Sequence, residues 1–134
     1  MTFFDTNVLV YATIDQGKER LALCEKKIEE AIVNELFAIS PLVMSEYIFI
    51  LSKLKILERH HDDVMLYAKY IQGSFDEALL LSAYDLCKEI DFCKNINDVI
   101  HMKTAEEYCQ KLLTFDSDFS KLQPYTAMKI EILR

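Results

Sequence analysis

Three features of the 134-residue sequence predict an α/β fold with a short parallel sheet flanked by many helices. Short β-like runs recur at residues 2–4, 36–39, 112–115 and 128–133. Between them lie longer stretches with apolar residues at helical spacing, and strands that alternate with helices build parallel sheets. With only 2 Gly and 2 Pro, the chain lacks the turn residues that an all-β fold requires. No linker, repeat or low-complexity tract interrupts it, so residues 1–134 read as a single domain.

The elements follow in order. Thr2-Phe3-Phe4 is cut off by Asp5-Thr6-Asn7, residues that favour caps and turns, and a short helix is expected over 8–12. Residues 18–36 carry Leu21, Cys24, Ile28, Ala31, Ile32 and Leu36 near the helical period. After the strand at 36–39, Ser40-Pro41 fits an N-cap followed by proline at the first helical position. The helix it opens, expected over 41–57, is apolar nearly all round and so largely buried. Two more helices are expected over 62–73, closed by Gly73, and over 76–93. Asn95 or Asn97 caps another that runs to about Gln110. The third strand then stops at Asp116-Ser117-Asp118, and residues 128–133 form a last strand.

Fifteen basic and 22 acidic residues leave a net charge of −7, so the surface as a whole repels phosphate and a duplex-coating basic protein is excluded. No apolar run, that of residues 47–51 included, approaches the ~18 residues of a membrane span. Asp5 close to the start, without a basic region, argues against a signal peptide and for a cytoplasmic protein. Cys24, Cys87, Cys93 and Cys109 lack the paired spacing of a zinc site and read as buried reduced thiols.

The informative residues are acids at element ends. Asp5 and Asp116 each follow a strand, and ligands of open α/β sheets bind beyond the carboxyl ends of strands. Asp98 opens a helix, and Glu46 sits on the apolar helix after the second strand. Each has a purely structural explanation. Asp5, Asp116 or Asp118 can cap a helix, worth about 0.5–2 kcal/mol. Asp98 can complement a helix dipole, worth about 0.3–1 kcal/mol. Glu46 can face water on a polar stripe shared with Lys53. Together, however, four carboxylates from distant parts of the chain are what a hard divalent ion requires, and a parallel sheet can gather them.

Four blocks carry a resemblance to the PIN-domain nucleases, especially the VapC-type toxins of type II toxin–antitoxin systems. They are Phe4-Asp5-Thr6-Asn7-Val8-Leu9-Val10-Tyr11, Pro41-Leu42-Val43-Met44-Ser45-Glu46, Asn97-Asp98-Val99-Ile100-His101 and Leu113-Thr114-Phe115-Asp116-Ser117-Asp118-Phe119. Met102 and Lys103 depart from the small apolar residues usual in the third block, and no Gly precedes the strand carrying Thr114.

The resemblance implies a PIN-like single domain and an endoribonuclease dependent on Mg²⁺ or Mn²⁺. Asp5, Glu46, Asp98 and Asp116 would hold the ion or ions, with Asp118 as a possible fifth acid. Thr6, Asn7, Ser45 and Thr114 would orient these carboxylates or bind a phosphate oxygen. It also implies an RNA substrate, a cognate antitoxin and a homodimer, with residues 47–51 and 65–71 as candidate contact faces that core burial explains equally well. Lys53, Lys55 and Arg59 are the leading cations for RNA backbone contacts, although a solvated helix end accounts for them as readily. His60-His61-Asp62-Asp63 reads as a solvated turn; His101, one turn after Asp98, can approach the acids but reads rather as a core or boundary histidine. Two rivals stand beside this reading. One is a catalytically weak or inactive PIN-like scaffold that binds RNA or protein. The other is a dehalogenase-like phosphatase using Asp116-Ser117-Asp118, although those enzymes carry the pair on the first strand of a longer domain.

Overall fold

In the computed structural model, which describes residues 1–134, β1 (Thr2–Phe4) occupies an inner position of a four-stranded parallel sheet ordered β2-β1-β3-β4. β2 (Phe37–Ala38), β3 (Lys111–Thr114) and β4 (Lys129–Ile132) complete it. Phe3 and Phe4 on β1, with Leu112 and Leu113 on β3, are buried, as expected of parallel strands covered by helices. Registers Phe3↔Leu112 and Phe4↔Leu113, with Asp5 N–H donating to the Leu113 carbonyl at 3.0 Å, bring the carboxyl ends of β1 and β3 side by side.

Asp5 caps α1 (Thr6–Thr13) by accepting from the Thr6 N–H at 2.7 Å. α2 (Lys18–Val33) buries Cys24, Ile28 and Ala31. Ser40 caps α3 (Pro41–Lys53) by accepting from the Val43 N–H at 3.1 Å, with Pro41 opening the helix. α3 ends earlier than residue 57: Lys55 adopts a left-handed φ of 60° that breaks the helical path. Nor is it buried all round, since Phe49 is 65% exposed while Val43, Met44, Tyr47 and Leu51 face the core.

α4 (His61–Ala68) also stops before Gly73. The chain instead turns extended to bridge Ile71 with Ile39, and the Gln72 N–H donates to the Ile39 carbonyl at 2.7 Å. Gly73 serves another purpose: at φ 79° a Cβ there would stand 2.8 Å from the Tyr108 ring. α5 (Glu77–Ile90) is capped by Asp76 and ends at left-handed Asp91. α6 (Ile96–Tyr108) buries Val99, Ile100, His101, Met102, Thr104 and Ala105, which explains why its sequence is so weakly amphipathic. After β3, a 3-10 segment, Ser117–Tyr125, leads to β4. Cys24, Cys87 and Cys109 are buried as expected, whereas Cys93 is exposed because α5 ends before it; all four thiols are free.

Candidate active site

The short strands aim the acids. Asp5 is the first residue past β1 and Asp116 lies two past β3, so the parallel register sets both at one edge of the sheet. Glu46 comes from α3 and Asp98 from the first turn of α6. All four line one pocket of about 780 Å³, with Thr6, Asn7, Ser45, Asn97 and His101. The capping explanations and the gathering of the acids therefore coexist. Asp5 caps α1 and Asp116 accepts from the Asp118 N–H at 2.9 Å, while both border the pocket.

A hydrogen-bond web fixes these carboxylates. Thr114 Oγ1, fully buried, donates to Asp5 Oδ2 at 2.7 Å and accepts from the Asp116 N–H at 3.0 Å. Asn7 Nδ2 reaches both Asp5 Oδ2 and Thr114 Oγ1 at 3.3 Å, and its Oδ1 accepts from the Phe115 N–H at 3.2 Å. Glu46 Oε1 accepts from Thr6 Oγ1 at 2.6 Å and from His101 Nε2 at 2.8 Å, and its Oε2 accepts from Asn97 Nδ2 at 3.1 Å. His101 Nε2 also stands 3.7 Å from Asp5 Oδ1, while its Nδ1 is buried without a partner. One donor atom each from Asp5, Glu46 and His101 lies within 4.8 Å of the others.

Crowding separates the acids electrostatically. Burial, reinforced by the charges of Asp5 and Asp116, pushes the Asp98 carboxyl up to about 7. Burial also raises Asp5, against the opposing effects of His101, Thr114 and Thr6. Burial works to raise Glu46 too, but the bond and charge of His101, with Thr6 and Asn97, outweigh it and hold Glu46 low. Burial works to lower His101, and the Glu46 bond together with the charges of Asp5, Glu46 and Asp98 overcomes this, leaving its pKa raised.

Other sequence candidates fall outside the pocket. Asp118 is not among the lining residues; its Oδ1 lies 3.7 Å from Lys121 Nζ and its Oδ2 accepts from Asn95 Nδ2 at 3.5 Å. Lys53, Lys55 and Arg59 are exposed and none lines the pocket. Ser45 does line it but makes no side-chain hydrogen bond there. His101 is 1% exposed, as a core histidine would be, and it also clamps Glu46, an approach to the acids that its spacing of one helical turn from Asp98 allows. Asn97, weighed only as a cap, reaches Glu46 instead, and Asn95 turns its side chain toward Asp98 and Asp118 rather than capping α6.

A parallel α/β sheet with acids from separate elements meeting at its carboxyl edge defines a PIN-like domain. The chain belongs to the PIN domain family, whose profile matches residues 2–123. Among solved structures, the crystal structure of VapBC2 from Rickettsia felis bound to a DNA fragment from their promoter contains a similar chain. Its TM-score is 0.70 at 21% sequence identity, covering 99% of this chain and 98% of that one. No curated protein sequence matches the chain.

Proposed function

We propose that this PIN domain is a divalent-metal-dependent endoribonuclease acting as the toxin of a toxin–antitoxin pair. The observation that carries the nuclease reading is the meeting of Asp5, Glu46, Asp98 and Asp116 in one pocket. The donor set fits a hard divalent cation: it is rich in carboxylate oxygen, and burial, reinforced by the charges of Asp5 and Asp116, pushes Asp98 up to about 7, a cost that a cation relieves. Mg²⁺ or Mn²⁺, when bound, supplies charge neutralisation at the attacked phosphate and a lowered pKa for water.

The chain's own residues prepare the pocket. Thr114 and Asn7 hold Asp5 in one orientation, and Thr6, Asn97 and His101 do the same for Glu46. Asp98, pushed up to about 7 by burial and by the charges of Asp5 and Asp116, is the carboxyl of the pocket whose ionised form would gain most from a bound cation. The aligned ends of β1 and β3 set Asp5 and Asp116 side by side before substrate arrives. Hydrolysis in line with the leaving oxygen yields a 5′-phosphate and a 3′-hydroxyl.

The fold shared with a chain of VapBC2, with its promoter DNA fragment, supports an antitoxin partner. A homodimer is the assembly proposed with it. No helix is long and apolar enough to cross a membrane. The test is brief expression followed by sequencing of RNA ends. Growth arrest with discrete new 5′-phosphate ends, both relieved by a co-expressed neighbouring antitoxin gene product and abolished by Asp116→Asn, is the expected outcome. Harmless expression without new RNA ends would refute the toxin reading.

A further inference from the structure

The pocket that gathers the acids has no Lys or Arg among its lining residues, yet RNA is a polyanion whose backbone is held largely by cations. A cation is built into the adjoining wall. Arg20, in the first turn of α2, sets its guanidinium carbon 4.7 Å from the Tyr11 ring centroid and 5.3 Å from that of Phe115. The two rings pack edge to face, 5.1 Å apart at 83°. Both belong to the active-site frame: Tyr11 lines the acid pocket, and Phe115 immediately precedes Asp116 and donates its N–H to Asn7.

Two further observations describe the surroundings of Arg20. A second cleft, bordered by Gly17, Glu19, Arg20, Leu23 and Arg134, adjoins the acid pocket through Gln16, which lines both. Arg20 makes no ion pair with any carboxylate, as Arg134 of the same cleft makes none, and what sets Arg20 apart is its seat on the two rings. An unpaired guanidinium resting on aromatic rings is pre-organised, since stacking restricts its rotamers and leaves its N–H edge free for a bidentate anion.

We propose that Arg20, held on the Tyr11–Phe115 corner, binds a backbone phosphate of single-stranded RNA flanking the one in the acid pocket. The strand then passes Gln16 between the two clefts. This assignment rests on the endoribonuclease reading, and it replaces Lys53, Lys55 and Arg59 as the principal RNA contact.

Steady-state cleavage of a short fluorescent single-stranded RNA in Mn²⁺, at several salt concentrations, tests it. Arg20→Gln is expected to raise KM about five- to twentyfold with kcat within about twofold, and to reduce the slope of log KM against log salt by about 0.7, the loss of one phosphate contact. Arg20→Lys should recover part of KM, keeping charge without the planar stack. Lys53→Gln should leave both KM and slope unchanged. The Mn²⁺-induced rise in melting temperature should be the same in all four proteins, which shows that the fold and the metal pocket are intact. A wild-type KM and salt slope in Arg20→Gln would overturn the assignment while leaving the nuclease reading standing. Weakened binding of a Glu-rich peptide with unchanged RNA KM would overturn it too, reassigning Arg20 to a protein anion. A wild-type protein that cuts no RNA would overturn the nuclease reading and the assignment with it.

Discussion

Replacing Asp98 with Asn stabilises the cation-free protein at pH 8 and leaves it nearly unchanged at pH 4. The folded pKa of Asp98, about 7, lies above its ordinary value of 3.8, so the folded chain binds its proton more tightly than the unfolded chain. The cost of ionising it is therefore absent below pH 3.8, grows through the window up to about 7, and is fully present above it. At about 1.4 kcal/mol per pKa unit the shift corresponds to at most about 4 kcal/mol. Asp98 is only partly buried, and solvent screening reduces this to about 1–2 kcal/mol. For a domain of this size that is about 3–8 °C in melting temperature. The assay is thermal melting of wild type and Asp98→Asn in EDTA at both pH values, then in Mg²⁺ at pH 8. A cation at ten times its Kd stabilises the wild type by about 1.4 kcal/mol, and the variant by less. A variant destabilised equally at both pH values and indifferent to Mg²⁺ would refute the reasoning, leaving Asp98 as a helix-dipole partner of α6 alone.

Three further outcomes follow from the same geometry. Asp5→Asn and Asp116→Asn each lower RNA cleavage at least a hundredfold while keeping cooperative melting, because the amide retains the cap oxygen but loses the charge; Asp118→Asn, outside the pocket, changes the rate less than tenfold. His101→Ala unseats Glu46 and costs about 1–3 kcal/mol of stability. That cost is larger at pH 6 than at pH 9, since the raised pKa of His101 gives a stabilisation that is complete below 6.5 and lost as pH rises through the folded value; denaturant melts at the two pH values check it. In the native protein only Cys93 reacts quickly with a thiol reagent at pH 7.5, as mass spectrometry of labelled peptides will read, because Cys24 and Cys109 are buried with pKa values pushed up to about 11 and Cys87 is buried and raised as well.

The strands and caps were legible because their signals are local. Thr2-Phe3-Phe4 followed by Asp5, and Ser40-Pro41 ahead of an apolar helix, state their structure within a few residues. The ends of α3, α4 and α5 were not, since each is decided by tertiary demands. Lys55 and Asp91 take left-handed backbone that their sequences do not announce, and the chain after α4 gives up helical bonds to bridge Ile71 with Ile39. Asp5 and Asp116 could be picked out because they follow strands that lie side by side, whereas Glu46 and Asp98, on helices, stood out only as a set with them and through the blocks that resemble PIN domains. Asp116 ranked ahead of Asp118 because it comes first after the strand, and the 3-10 turn after β3 sends Asp118 toward Lys121 while Asp116 stays at the pocket. His101 was legible only in part: its spacing from Asp98 put it near the acids, but a buried histidine on a weakly amphipathic helix does not announce that Glu46 is its partner. Arg20 was hidden because its meaning lies in two rings more than a hundred residues apart in the chain.

The central claim, that the gathered carboxylates form a metal-dependent RNA-cutting centre, is met most directly by one titration. Purified protein is incubated with an end-labelled single-stranded RNA while Mg²⁺ or Mn²⁺ is raised against EDTA, with Asp5→Asn run alongside and product termini identified by mass spectrometry. The account predicts cleavage that is absent in EDTA, saturates with the cation, leaves 5′-phosphate and 3′-hydroxyl ends, and disappears in the variant. Cleavage that persists in EDTA, or that Asp5→Asn performs at the wild-type rate, would contradict it.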